Sequence, residues 1–166
     1  MLFRSDPKDV KSYYERAEAK FLLTTDYQGA LDDYNKVFEI DSTYQGVYFG
    51  RGYSKYMLED YQGAIDDYNK DLKNNPDGNW LYYFIGIAKY DMQDYINALD
   101  DFTRVIANDS KNGDAYEYRG MCKIHLGQEY GCLDLLKAQE LGCEFAAHDF
   151  SRNCVFEPDE EEEVGE

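Results

Sequence analysis

Little along this chain is written in the vocabulary of catalysis. Its two histidines, His125 and His148, stand apart, and no GxSxG, Walker A or HExxH pattern occurs. Nucleophile elbow, phosphate loop and zinc-protease helix are therefore all missing. The four cysteines, Cys122, Cys132, Cys143 and Cys154, never form CxxC, which removes the zinc spacings and a small secreted disulfide framework. They are expected to be reduced, small packing residues, with a Cys122–Cys132 or Cys143–Cys154 bridge as the alternative. No metal and no cofactor is expected. Apolar runs are short too, none approaching the roughly 20 residues that span a bilayer, and the opening MLFRSDPKDVK lacks a secretory core. A soluble, cytoplasmic chain is the expectation.

Positive charge is also scarce. Lys and Arg number 17 against 34 Asp and Glu, for a formal charge of -17 over 166 residues. Seven of those acids lie between Glu157 and Glu166, so the rest of the chain still carries -10. That field repels phosphate backbones and anionic lipid, so neither nucleic acid nor a membrane surface is an expected partner. A partner with basic flanks suits it better.

What the chain does have is tyrosine and repetition. Seventeen Tyr, nine Phe and one Trp sit in an otherwise hydrophilic composition, and such rings pack through a face while their polar ends stay hydrogen-bonded. The segment DYQGALDDYNK, Asp26 to Lys36, returns as DYQGAIDDYNK at Asp60 to Lys70 and more loosely as DYINALDDFTR at Asp94 to Arg104, 34 residues apart each time. At that period Tyr14, Tyr48, Tyr82 and Tyr116 form one column, Gly52, Gly86 and Gly120 a second, Ala30, Ala64, Ala98 and Cys132 a third, and Tyr34, Tyr68, Phe102 and Leu136 a fourth.

Within a copy, Tyr27, Ala30, Leu31, Tyr34 and Phe38 share one helical stripe. Asp26, Asp60 and Asp94 precede their helices as N-caps. Asp32–Lys36, Asp66–Lys70 and Asp100–Arg104 read as i,i+4 ion pairs on the solvated face. The stretch before each copy is helical as well, and breaks fall at Asp41-Ser42, Asn75-Pro76 and Asp109-Ser110. Helix pairs with two aromatic faces must stack to bury them, which makes a solenoid.

These columns resemble the tetratricopeptide repeat (TPR) family, whose period is the same. Tyr48, Gly52, Tyr61, Ala64, Tyr68 and Pro76 match the pattern in the second unit, and Tyr82, Ile85, Gly86, Tyr95, Ala98 and Phe102 in the third. Arg51 and Arg119 depart from it, as do Lys55, Lys89 and Lys123, and Asp71 stands where a small residue is usual. The basic side chains are expected to pair with the repeated aspartates of neighbouring helices, which gives those acids a structural role. The resemblance implies an all-α, right-handed superhelical solenoid of antiparallel helix pairs. Its units would be 11–44, 45–78, 79–112 and 113–141, after a lead-in over 1–10 and before a capping helix over 142–155 and an acidic disordered tail over 156–166.

In this family the first helices line a concave groove. Carried over by position, the groove holds Phe49, Tyr53 and Tyr56 from the second unit, Trp80, Tyr83, Ile87 and Tyr90 from the third, and Glu117, Met121 and His125 from the fourth. The positions of the chaperone-binding carboxylate clamp hold Glu15, Ala19, Gly50, Trp80 and Phe84 instead, so a ligand with an acidic C-terminus is disfavoured. The expected function is a non-enzymatic adaptor that binds a peptide or protein segment through apolar anchors. A self-associating scaffold and, less strongly, a glycan-stacking surface are the alternatives.

Overall fold

In the computed structural model of the chain, the residues described are 9–154 apart from Glu129. The lead-in up to residue 8 and the acidic tail over 156–166 lie outside them. Among the described residues there are nine α-helices and no strand: α1 Val10–Ala19, α2 Tyr27–Ile40, α3 Val47–Met57, α4 Tyr61–Asn74, α5 Leu81–Asp91, α6 Tyr95–Asn108, α7 Gly113–His125, α8 Gly131–Glu140 and α9 Glu144–Asn153. Each helix packs on its successor, so the chain is a stack of helix pairs closed by α9.

The repeated motif explains its own glycines. Asp26 and Asp60 accept the backbone N–H of Gly29 and Gly63 at 2.9 and 3.0 Å. A Cβ on either glycine would sit only 2.1 or 2.2 Å from the capping carboxylate. In the looser third copy Asn97 fills that place, and the cap stretches to 3.5 Å while the Asn97 amide turns onto Asp94 at 2.7 Å.

A second periodic feature escapes hydrophobicity patterns. The turn inside each helix pair passes through one left-handed residue: Thr25, Glu59, Gln93 and Gly127, with φ of 52, 64, 63 and 71°. Their numbers are again 34 apart. Only the last is the residue type that adopts this conformation freely, and Thr25 is β-branched, where it is least comfortable. It follows the π-helical turn Lys20–Thr24 with which α1 ends. Thr25→Gly is expected to raise stability by about 1 kcal/mol, the left-handed penalty less glycine's greater unfolded-state entropy. A thermal melt followed by circular dichroism should move up by about 2–4 °C; a lower midpoint would mean that the Thr25 hydroxyl, which bonds the Thr24 carbonyl at 2.7 Å, matters more than the backbone.

The aspartate ladder is real but differs from the expected one. Only one acid of each pair turns inward, and it meets bases of its own helix pair. Asp33 takes Arg16 and Lys20, Asp67 takes Arg51 and Lys55, Asp101 takes Lys89, and Asp134 takes Arg119 and Lys123, all at 2.5–2.9 Å. The solvated pairs do not form: Lys36 reaches Glu39, Asp32 and Asp66 accept from Gln28 and Gln62, and Arg104 lies over the Tyr82 ring. Burial pushes the Asp33 and Asp67 carboxyls up, yet hydrogen bonds from their two bases outweigh it and hold both below the usual carboxylate value. In the third pair Ile85 stands where Arg51 and Arg119 stand in theirs. With Lys89 as its one ion-pair partner among the described residues, Asp101 stays raised because burial wins.

The fourth pair is one residue short. Gly52 and Gly86 approach the rings of Tyr68 and Phe102, but Gly120 approaches Leu135 and the Gly131 carbonyl. Leu136 and Cys132 are therefore not the column members; Leu135 and Gly131 are, and Asp134 takes the inward acid's place. The shift frees Cys132 for other use. It is bridged to Cys154, with Cα atoms 5.8 Å apart, which corrects the expectation of four reduced thiols and both alternative pairings. Because α9 runs back antiparallel along α8, the end of one helix lies beside the start of the other. Cys122 is buried and free, and Cys143 is half-buried and free.

Candidate binding groove

Positions three and four apart on α3 place Phe49, Tyr53 and Tyr56 in a single row. The rings are close to parallel, Phe49 and Tyr53 at 16° with centroids 5.8 Å apart, Tyr53 and Tyr56 at 14° and 6.3 Å. Trp80 caps the start of α5 and meets Phe49 edge-on at 4.9 Å, while 47% of it remains exposed. Phe84, one turn along α5, touches Phe49, Tyr53, Trp80 and Tyr83. That residue ties the row together, although by sequence it stood out only as an unsuitable clamp position.

Farther along, the rings fall into a second set. Tyr83 packs edge-on against Phe102 of α6 and Tyr118 of α7. Ile87 is half-buried against the cluster around Phe102 and Cys122. Tyr90 makes an edge contact with Tyr118, and its hydroxyl lies 3.1 Å from His125 Nε2. His125 in turn stacks flat on Tyr95, 4.4 Å between centroids at 5°. The hydroxyl of Tyr56 likewise reaches forward one pair, to Asp91 at 2.6 Å. Neighbouring pairs are thus stitched by polar ring ends as well as by ring faces.

Glu117 and Met121 lie next to α9. The Cys143 thiol, at the start of α9, donates to Glu117 and to Asp114, and the Asn153 amide contacts Met121 sulfur at 3.9 Å. Asp114, Glu117 and Cys143 offer donor atoms within 4.8 Å of one another, a grouping with metal-ligand character. The thiol's proton already accounts for it: burial, then the Glu117 carboxylate, pushes Cys143 up to about 12. Burial also raises Glu117, opposed by that hydrogen bond. Around this point Tyr83, Tyr118, His148 and Asp149 complete a cavity of about 390 Å³ between α5, α7 and α9.

A larger opening lies elsewhere. A cavity of about 670 Å³ lies where Phe49 and Trp80 meet Tyr14 of α1, the Tyr44–Gly46 turn and the end of α4 at Asp71 and Asn75. Tyr14 and Tyr44 are in contact at 5.0 Å. Sequence reasoning placed neither of them in a site. The signal that was present was Asp71, which interrupts a column otherwise made of Val37 and Val105, both buried.

No protein-family model matches the chain, and no curated protein matches it by sequence. Solved structures do. A crystal structure of MamA superposes with a TM-score of 0.76 at 20% identity, over 86% of this chain and 83% of that one. YrrB, described as a TPR protein with an unusual peptide-binding site, gives 0.69 at 20% identity over 90% and 81%. The Arabidopsis OM64 TPR domain gives 0.65 at 17% identity over 73% and 99%. The helix pairs, the 34-residue interval and these superpositions agree: the chain has the TPR fold, an all-α right-handed solenoid.

Proposed function

We propose that the chain is a non-enzymatic interaction module that holds a peptide or protein segment along the aromatic row of α3 and α5. The observation that carries this reading is the row itself. Phe49, Tyr53, Tyr56 and Trp80 are joined ring to ring, yet Trp80 is 47% exposed and the other three are only half-buried. A core does not leave such rings at the surface without cost, whereas rigid aromatic anchors are what binding hot spots are made of. The excess of negative charge draws a segment with basic flanks. YrrB's description as having a peptide-binding site is in keeping with this.

Trp80→Ala combined with Tyr83→Ala tests the reading. Affinity capture from extract with quantitative mass spectrometry should show partners of the wild type reduced about tenfold or more, the scale of losing one anchor, with an unchanged circular dichroism spectrum. Equal capture by both proteins would rule the groove out.

Self-association is the second reading, because Leu22 and Leu23 are 72% and 81% exposed on the π-helical turn that ends α1. A monomer mass that does not vary with concentration in light scattering would exclude it.

A further inference from the structure

We propose that the cavity bounded by Tyr14, Tyr44, Phe49, Trp80 and Asp71 is a specificity pocket for a lysine or arginine side chain of the bound segment. This rests on the groove reading above and adds to it the chemistry of one subsite.

Asp71 is the reason. Its place in the 34-residue column belongs to Val37 and Val105, which are 0% and 4% exposed. A carboxylate there loses hydration, and the Asp71 side chain, unlike those of the four inward aspartates, has no ion pair or hydrogen bond among the described residues to compensate. Burial alone raises its pKa. The repeat has thus replaced an apolar packing residue by a half-buried charge that serves no visible purpose inside the fold.

The surroundings suit a cation and little else. Four aromatic side chains present π-faces or edges around the opening, and a cation between rings and a carboxylate gains from both. The position is one turn from the C-terminus of α4, whose last carbonyls add partial negative charge. An anion meets repulsion from Asp71 and from a chain of formal charge -17. A neutral apolar group would leave the carboxylate desolvated and unpaired. The volume, about 670 Å³, and the exposure of Trp80 leave room for a long side chain to enter.

The test uses the full chain and a random peptide library displayed on phage. Selected peptides should share a Lys or Arg, and calorimetry should show about tenfold weaker binding when norleucine replaces it. Asp71→Asn should cause a similar loss with the basic peptide and almost none with the norleucine peptide. Independently of any ligand, Asp71→Val should raise the melting temperature, since valine is what the column holds elsewhere; a lower midpoint would make Asp71 a structural residue and overturn the proposal. Peptides without a recurrent base that still fail to bind Tyr53→Ala with Tyr83→Ala would overturn the pocket and leave the groove. Peptides indifferent to that double variant would remove the groove itself, and selection of no peptide would count against both.

Discussion

Asp67→Ala is expected to destabilise the chain by about 3–5 kcal/mol, the cost of stranding a buried charge. The Arg51 side chain is 9% exposed and Lys55 is 21%, and Asp67 is the carboxylate shared by both. Arg51 cannot swing to solvent cheaply, because its guanidinium lies on the Phe38 ring at 4.1 Å and near Tyr48 at 5.6 Å. In a domain of this size the loss should lower the melting temperature by about 10 °C or more. Asp66→Ala, one residue away on the exposed face, should change it by no more than about 0.5 kcal/mol. Equal effects from the two variants would show that the inward ion pair contributes nothing special. Acidification should reveal the same group. The native Asp67 pKa lies below the unfolded value, so its contribution is complete above the unfolded pKa and disappears as pH falls through the native one. Wild type and Asp67→Ala should therefore converge in strong acid. Arg51→Ile should be milder than Asp67→Ala, since the third pair already works with Ile85 and one lysine.

Gly131→Val is expected to be the most disruptive single change in the last pair, about 3 kcal/mol, at the upper end of ordinary overpacking. A Cβ on Gly131 would stand 2.6 Å from the Gly120 carbonyl oxygen and 2.8 Å from Ile124, and a Cβ on Gly120 would stand 2.8 Å from the Gly131 carbonyl. At Gly52 and Gly86 the nearest obstacle is the edge of a buried Tyr68 or Phe102 ring, a side chain. Here the obstacle is backbone, so α7 and α8 must part. Because each pair touches only its neighbours, the damage should stay local. Hydrogen exchange should show α7 to α9 opening while α1 to α6 keep their protection. Uniform loss along the whole chain would contradict a stack of nearest-neighbour units.

Much of this architecture could be read from spacing alone. The caps at Asp26, Asp60 and Asp94, the helix ends at Asp41, Asn75 and Asp109, and the small–aromatic contacts all repeat every 34 residues. Where the reading failed, the deciding contact was not periodic. One deleted residue in the fourth pair moves Gly131 and Leu135 into columns assigned to Cys132 and Leu136, and the Cys132–Cys154 bridge depends on how α9 folds back. The solvated i,i+4 pairs failed for a different reason. Exposed ion pairs are worth so little that any nearby partner competes, as Glu39 does for Lys36.

The groove was legible only as a list. Position correctly put Phe49, Tyr53, Tyr56 and Trp80 near one another, and could not foresee that α9 would lie beside Glu117 and Met121 or that Tyr14 and Tyr44 would wall an opening. These depend on contacts between elements that share no column.

The missing residue in the fourth pair also separates the period of the sequence from the period of the structure. From α3 to α6 an advance of 34 residues carries one helix pair onto the next, whereas Arg16 and Lys20 of α1 stand 35 residues before Arg51 and Lys55, which make the same ion pairs. The same interval of 34 carries α5 onto α7, since Gly86 and Gly120 keep it, but 33 residues carry α6 onto α8, as from Asp101 to Asp134 and from Phe102 to Leu135. The interval changes between two helices of one pair, while the contacts it carries keep their places. A tandem array grown by copying the second unit after α8 would therefore have to count its columns from Gly131 and Leu135, not from Cys132 and Leu136.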